Sequence, residues 1–305
     1  MNALATAAPA KINLILRILE RRADGFHEID TVFQAIELAD RVEVEIAPAG
    51  AGGPIELEVD GPDLCPPEEN LAWRAAEAFL AASDSSQGVR IRLTKKIPAG
   101  GGLGGGSSDA GAVLRLLDAL IGGLTPGVLL QLAADLGSDV PFFLGDGTMA
   151  HGTGRGEVLE ALSPLPVRDV LVGLPPVHIA TGPAYAAVAT ARASGAPISR
   201  PLHKSDRPVS WAEVAAMAEN DFEAFAVAEH PKVARTLEAL GDCDPEVVML
   251  SGSGAACFAV LRENADAEPM ARALSDRLGW PVVASRTLNQ WPEPGTRGTG
   301  GSSRG

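Results

Sequence analysis

Residues 98–120, PAGGGLGGGSSDAGAVLRLLDAL, set six glycines (Gly100, Gly101, Gly102, Gly104, Gly105 and Gly106) directly against an apolar helical pattern. Ser107, Ser108 and Asp109 are natural N-cap and first-turn residues for that helix. A helix start leaves backbone N–H groups without intrahelical partners, and the helix dipole adds partial positive charge there. Glycines let the backbone take positive φ and approach a ligand closely. The ligand that suits such a concavity is a phosphate chain. A flexible turn accounts for two or three glycines; six within residues 100–106, placed after Pro98, exceed what a turn requires.

The surrounding elements narrow the kind of nucleotide site. Gly100, Gly102 and Gly105 satisfy GxGxxG, but the helix is followed by GGLTP and a second helical pattern over 126–136, not by a strand ending in an acidic residue. No lysine follows the glycines as in a Walker A loop, and the chain contains neither HRD nor DFG, which excludes a protein kinase.

The 305 residues are 46% hydrophobic, enough for one large domain or two medium ones with a substantial core. A net charge of −14 speaks against nonspecific nucleic-acid binding. Cys65, Cys243 and Cys257 are widely spaced and odd in number, which fits reduced thiols in a cytoplasmic protein. The N-terminus lacks the basic region of a signal peptide, and no apolar run is long enough to span a bilayer.

Residues 8–19 read as a strand and RRADGFHEI as a turn-bearing loop. Strict alternation predicts strands at 42–48, 55–60 and 89–98, and a helix occupies 69–82. Residues 137–154 read as a loop with short strands, and 169–176 as a buried strand. Helices are predicted at 182–193, 210–227, 231–240 and 265–279, a strand–glycine turn–strand unit at 246–261, and a last strand at 281–288. Residues 193–210 match no pattern and read as a surface loop; Gly111, inside the helix after the glycine loop, costs ~1 kcal/mol of propensity unless another backbone packs closely on it.

Five segments taken together, PAKINLIL (9–16), DGFHEI (24–29), the glycine loop, GSDVPFF (137–143) and SGSGAACFAV (251–260), resemble the GHMP kinase superfamily. Within it, AKINL, DGFHE and GGGLGGGSSDA are similar to the branch whose acceptor is a cytidine diphosphate-linked methylerythritol. The resemblance covers roughly residues 8–288. It implies an α+β, two-lobed architecture: a ribosomal protein S5-like N-terminal lobe over 1–165, a ferredoxin-like C-terminal lobe over 166–290, and a disordered tail over 291–305. It also implies transfer of the γ-phosphoryl of ATP, with Mg²⁺, to an acceptor hydroxyl.

The same resemblance assigns residues. Pro98, Gly100, Gly102, Leu103, Gly104, Gly105, Gly106, Ser107 and Ser108 would cradle the triphosphate, with Asn70 and Lys96 near the adenosine. On residues alone, Asn70 is simply a helix N-cap. Lys11 and Asp139 would be the catalytic pair, Asp139 as base or orienter of the hydroxyl. On residues alone, Lys11 also reads as an edge-strand lysine reaching water, and Asp139 as an Asx turn or N-cap. Phe26 and Tyr185 would sandwich cytosine while His27 bonds its edge, and Asn13 and Thr181 would contact the acceptor; without the resemblance, Phe26 and His27 read as ordinary core and loop residues. Gly252 and Gly254 would shape the site. No set of protein metal ligands stands out, and Ser108 is the one candidate contributor. The implied partner is a small molecule, with the chain a monomer or weak homodimer.

Two rivals remain. One is a kinase of the same superfamily acting on mevalonate-type, homoserine or sugar acceptors, against which DGFHEI and Tyr185 speak. The other is a catalytically silent nucleotide-binding protein on the same fold, against which the joint presence of Lys11 and Asp139 speaks.

Overall fold

The structure, a computed structural model, describes residues 2–23, 25–47, 55–61 and 65–295. Two long strands, β1 (Ala3–Arg21) and β2 (His27–Ala47), form an antiparallel pair that spans the first lobe. Then come β3 (Glu56–Asp60), α1 (Leu71–Ala82), β4 (Gly88–Thr94), α2 (Gly105–Leu120) and α3 (Pro126–Leu136). A 3-10 helix (Val140–Leu144) leads into β5 (Met149–Thr153) and β6 (Val158–Ala161). The second half contributes β7 (Asp169–Gly173), α4 (Thr181–Ala193), α5 (Trp211–Met217), β8 (Glu219–Asn220), α6 (Glu223–Glu229) and α7 (Pro231–Gly241). It ends with β9 (Val247–Leu250), β10 (Cys257–Val260), α8 (Ala267–Leu278) and β11 (Val282–Arg286).

The first sheet runs β3-β4-β2-β1-β8, with β5 and β6 continuing from β2. Its outer half is covered by α1, α2 and α3, which bury Val42, Val44, Ile91 and Leu93 with Phe79, Val113 and Leu117. The second sheet runs β11-β7-β10-β9, all antiparallel, in the strand order of a ferredoxin-like βαββαβ unit. Period-2 alternation decides what each of its faces meets. Val170, Val172, Phe258 and Val260 join Ile12, Leu14 and Ile36 of the first sheet in one core. Leu171, Cys257 and Ala259 turn the other way, onto α7 and α8.

Three expectations need correction. The helix expected at 210–227 is broken by β8: Glu219 pairs with Arg17 (2.8 Å), and β8 adds to β1 in parallel. The Asn220 carboxamide also donates to the carbonyls of Leu250 (2.8 Å) and Gly252 (2.9 Å), tertiary contacts that outweigh the helical pattern. The loop 193–210 is, as expected, largely at the surface, fastened where Ser199 donates to Glu219 and Asp221, and the Leu202 N–H to buried Asp30 (2.6 Å). The tail expected over 291–305 begins ordered. Trp291 packs edge-on against Phe142 (5.5 Å), and Gly295 exchanges backbone hydrogen bonds with Ala5 (2.9 and 2.8 Å); residues 296–305 lie outside the described ones. Finally, the N-cap of α2 is Gly104 at φ 72°, not Ser107, Ser108 or Asp109.

Candidate active site

The glycine loop is held on both sides. The Lys11 N–H donates to the Leu103 carbonyl (2.9 Å), fastening the loop to β1. On the other side the Ser251 hydroxyl donates to the Gly102 carbonyl (3.0 Å), and the Ala256 N–H to that of Gly101 (3.1 Å). Gly102, at φ 75°, has no room for a side chain: a Cβ would lie 2.0 Å from the Ser251 oxygen. With a glycine in the left-handed region as N-cap and no capping side chain, the first-turn N–H groups of Gly105, Gly106 and Ser107 have no intrahelical acceptor.

Two cavities open on either side of this loop and share Gly100, Gly102 and Gly104 in their walls. The smaller, about 420 Å³, is also lined by Asn70, Pro98, Leu103, Gly105, Gly106 and Ser107. Asn70 is at the same time the N-cap of α1, accepting from the Ala72 N–H at 2.9 Å. Ser108 and Lys96 are not in the wall. Ser108 is fully buried with its Oγ lacking a partner, and Lys96 is exposed.

Lys95, not Lys96, faces this cavity, and its charge is already engaged. Its Nζ sits between Asp40 and Asp109, the latter at 2.5 Å, while Asp40 Oδ1 accepts from the N–H groups of Lys96 (2.5 Å) and Ile97 (2.8 Å). Burial opposes the Lys95 charge, but the two carboxylates outweigh it and hold its pKa up. One ammonium cannot neutralise both acids. Burial, helped by the Asp40 charge, pushes Asp109 up to about 7 against the pull of Lys95, and Asp109 Oδ1 has no partner. The sequence carried no signal for this triad, whose members come from β2, the segment after β4, and α2.

The larger cavity, about 970 Å³, lies between β1, the β1–β2 hairpin, α4 and the Gly252 turn. Lys11 and Asn13 project into it from β1, and Asp139 from the N-cap of the 3-10 helix. Lys11 Nζ donates to Asn13 Oδ1 (2.7 Å) and lies 3.5 Å from Asp139 Oδ2, with Lys11 buried and a third of the Asp139 side chain exposed. Asn13 is fixed in turn by donating to Thr31 Oγ1 (2.8 Å). Gly252, at φ 55°, faces Lys11: a Cβ added there would lie 3.4 Å from Lys11 Nζ and 3.0 Å from the Gly102 carbonyl oxygen. Thr181 also lines the cavity, its hydroxyl 3.2 Å from that of Ser253.

The aromatic end differs from expectation. The ring stacked on Tyr185 is His27 (centroids 5.1 Å apart, planes 13° apart), while Phe222 meets Tyr185 edge-on. Phe26, one residue earlier, lies under the Arg155 guanidinium at 5.1 Å and is 54% exposed. In this arrangement His27, and not Phe26, faces Tyr185. Burial, then the charges of Arg21 and Arg192, lower the His27 pKa, which favours the neutral imidazole. Burial and the Asp139 charge push Tyr185 up to about 12, so its phenol stays protonated and serves as a platform rather than a base.

Gly111 sets the position of Asp139. A Cβ there would lie 2.8 Å from Phe143 Cβ and 3.4 Å from its backbone carbonyl carbon, so α2 touches the 3-10 helix that Asp139 begins. The close approach inferred from a glycine inside a helix is present.

The chain matches the GHMP kinase N-terminal domain over residues 70–147 and the GHMP kinase C-terminal domain over 209–279. It is 40% identical over 287 residues to a 4-diphosphocytidyl-2-C-methyl-D-erythritol kinase of Pelotomaculum thermopropionicum, covering 92% of this chain and 97% of the relative. A crystal structure of 4-(cytidine 5'-diphospho)-2C-methyl-D-erythritol kinase superposes with a TM-score of 0.71 at 35% identity, covering 93% of this chain and 98% of that one. A homoserine kinase of Cytophaga hutchinsonii shares the fold, with a TM-score of 0.69 at 18% identity and 96% and 98% coverage. Identity at this level over nearly the whole length is specific: the chain belongs to the GHMP kinases, in their 4-diphosphocytidyl-2-C-methyl-D-erythritol kinase branch.

Proposed function

We propose that the chain transfers the γ-phosphoryl group of ATP to the 2-hydroxyl of 4-diphosphocytidyl-2-C-methyl-D-erythritol, in the methylerythritol phosphate route to isoprenoid precursors. The observation that carries this reading is the shared wall: two cavities meet at Gly100, Gly102 and Gly104, with the Lys11–Asp139 pair on the larger side. ATP occupies the smaller cavity, its phosphates on the first-turn N–H groups of α2. The acceptor occupies the larger one, its hydroxyl presented to Asp139.

The acceptor oxygen forms a bond to the γ-phosphorus as the bond from phosphorus to the β–γ bridging oxygen breaks, and ADP leaves with that electron pair. Asp139 receives the hydroxyl proton, and Lys11 offsets the negative charge gathering on the transferred group. Asn13, hydrogen-bonded to Lys11 and Thr31, holds the ammonium in place. Cytosine is recognised at the Tyr185 end: the base takes the face of Tyr185 that His27 now covers, Phe26 meets its other side, and His27 turns to its edge.

ATP chemistry also calls for Mg²⁺. Among the described residues no group of three His, Cys, Asp or Glu could hold a metal, and the phosphate oxygens would supply most of its ligands. Asp109, which lines the smaller cavity with its Oδ1 unpartnered, is the protein group that would face the ion, whereas Ser108 lies behind the wall. The ion would neutralise charge on the triphosphate.

The test is ATP consumption by the purified protein with an acceptor panel: the cytidine-linked methylerythritol, methylerythritol 4-phosphate, mevalonate, homoserine and galactose. Turnover confined to the cytidine-bearing acceptor is expected. Turnover on another acceptor alone would discard the cytosine assignment, and ATP binding with no turnover would point to a silent nucleotide-binding protein.

A further inference from the structure

The proposed acceptor is a polyanion, and this chain is acidic, with a net charge of −14. The diphosphate between base and polyol must therefore find local cations, and the larger cavity offers few. Lys11 is occupied by Asn13 and Asp139 at the reacting end. His27 is held toward its neutral form. His178 sits against the glycine loop, its Nδ1 2.9 Å from where a Gly100 Cβ would stand. The guanidinium groups in the wall are those of Arg21 and Arg155.

Both flank the base platform. Arg21 is the direct cross-strand partner of His27 in the β1–β2 hairpin, and its one hydrogen bond among the described residues goes to the Gly25 carbonyl (3.2 Å). Arg155, in the turn between β5 and β6, lies over the Phe26 ring, and its nearest carboxylate, Glu157, is 3.7 Å away, beyond a hydrogen bond. Arg155 is paired with Glu157 only loosely, and Arg21 with no carboxylate among the described residues, unlike the Arg17–Glu219 pair at 2.8 Å or the Arg192–Asp221 pair at 2.9 Å nearby. Two under-compensated forks beside one aromatic platform are suited to phosphate oxygens.

We propose that Arg21 and Arg155 form a diphosphate clamp, gripping the phosphates that join cytidine to the polyol from the two sides of the Phe26–His27 segment. This rests on the acceptor assignment above. The clamp makes the acceptor's charge, not only its base, a condition of binding, and it places the polyol toward Lys11 and Asp139.

Arg21→Gln, Arg155→Gln and the double variant test it, with CDP, CMP and cytidine as inhibitors competing with the acceptor and their binding also measured directly. Wild-type protein should bind CDP more tightly than CMP, and CMP more tightly than cytidine. Each substitution should weaken CDP roughly tenfold, as expected for losing one charge-assisted hydrogen bond, and leave cytidine within about twofold. The KM for the acceptor should rise in parallel while the KM for ATP stays put. Arg155→Lys should recover only part of the loss, because an ammonium lacks the planar fork. Equal weakening of CDP and cytidine would overturn the clamp by showing that the arginines support only the base platform, and unchanged CDP binding would overturn it outright. Failure of wild-type protein to turn over the cytidine-linked acceptor would instead sink the function, a result read separately from the ligand series.

Discussion

Replacing Gly111 by alanine tests how the chain positions Asp139. Alanine is the better helix former by ~1 kcal/mol, and Gly111 lies inside α2, so propensity alone forecasts stabilisation. The contact geometry forecasts the opposite. The new methyl carbon would sit 2.8 Å from Phe143 Cβ, whereas carbon atoms prefer ~3.5–4.0 Å, so α2 and the 3-10 helix must part by roughly 0.7–1.2 Å. Phe143 cannot easily retreat, being fully buried with Phe142 edge-on at 5.2 Å and Trp291 beyond it. Overpacking of this kind costs ~1–3 kcal/mol, so the net change is a loss of about 0–2 kcal/mol. Asp139 starts the displaced 3-10 helix, only 3.5 Å from Lys11, and a shift approaching 1 Å at a reacting group can cost ~10²-fold in rate. We therefore expect kcat to fall about 10- to 100-fold, with a smaller effect on ATP affinity. The assays are urea unfolding and steady-state kinetics, with Gly127→Ala as control: that helical glycine has nothing within 4 Å of its would-be Cβ, and its replacement should stabilise by up to ~1 kcal/mol. If the Gly111 variant gained stability like the control and kept full activity, the argument that this glycine fixes Asp139 would be wrong.

The remaining predictions concern the loop, the base and the buried triad. Asp139→Asn should lower kcat by ~10²–10⁴ with ATP binding intact, and near-normal turnover would remove Asp139 from the chemistry. Phe26→Ala should mainly raise the acceptor KM; a change confined to kcat would contradict a role in base binding. Gly102→Ala forces a methyl to 2.0 Å from a backbone oxygen at a φ of 75°, so a loss of roughly 3 kcal/mol or more, together with ATP binding, is expected by calorimetry; a folded variant that binds ATP normally would refute it. Asp109 is pushed up to about 7 from 3.8, so the folded protein holds a proton that the unfolded chain releases. Stability should therefore fall as pH rises from about 4 to 7, by at most ~1.4 kcal/mol per unit from this group, and Asp109→Asn should flatten that slope in urea titrations. A slope unchanged by the substitution would show that Asp109 does not carry it.

Legibility along the chain followed how local each determinant is. The helix at 126–136 and the strand–turn–strand at 246–261 were readable because a proline start, an apolar period and a glycine turn act within a few residues. The first half of β2 was not: residues 29–36 are all buried, so the two faces do not alternate, and Asp30, Thr31 and Gln34 are polar residues in the interior that imitate a loop. β8 escaped for a related reason, since Asn220 becomes a strand residue by pairing with distant Leu16 of β1 while its carboxamide is held by carbonyls 30 and 32 residues away. The residues assigned to the site by resemblance are mostly brought together: Lys11, Asn13, Phe26, His27, Asp139, Thr181 and Tyr185 line one cavity. Missing from that reading were Lys95, Asp40, Asp109, Arg21 and Arg155, charges whose meaning depends on what lies across the fold.

The glycine loop also explains how a phosphate site can work without a lysine of its own. At two positions of the loop there is no room for a side chain: a Cβ at Gly102 would strike Ser251, and one at Gly104 would lie 3.1 Å from both Lys11 Cγ and Phe143 Cζ. A lysine is excluded at those two positions. The cation comes instead from the strand the loop is pinned to, through the hydrogen bond from the Lys11 N–H to the Leu103 carbonyl. The same backbone residue therefore fixes the loop's height and delivers the ammonium to its far side, 3.5 Å from Asp139. Because one residue does both, moving Lys11 to a neighbouring position cannot restore function: a one-residue shift along β1 turns the side chain to the opposite face of the sheet. Paired substitutions at Lys11 and Ile12 should leave a protein without turnover, and recovered activity would show that the ammonium need not come from this place in the strand.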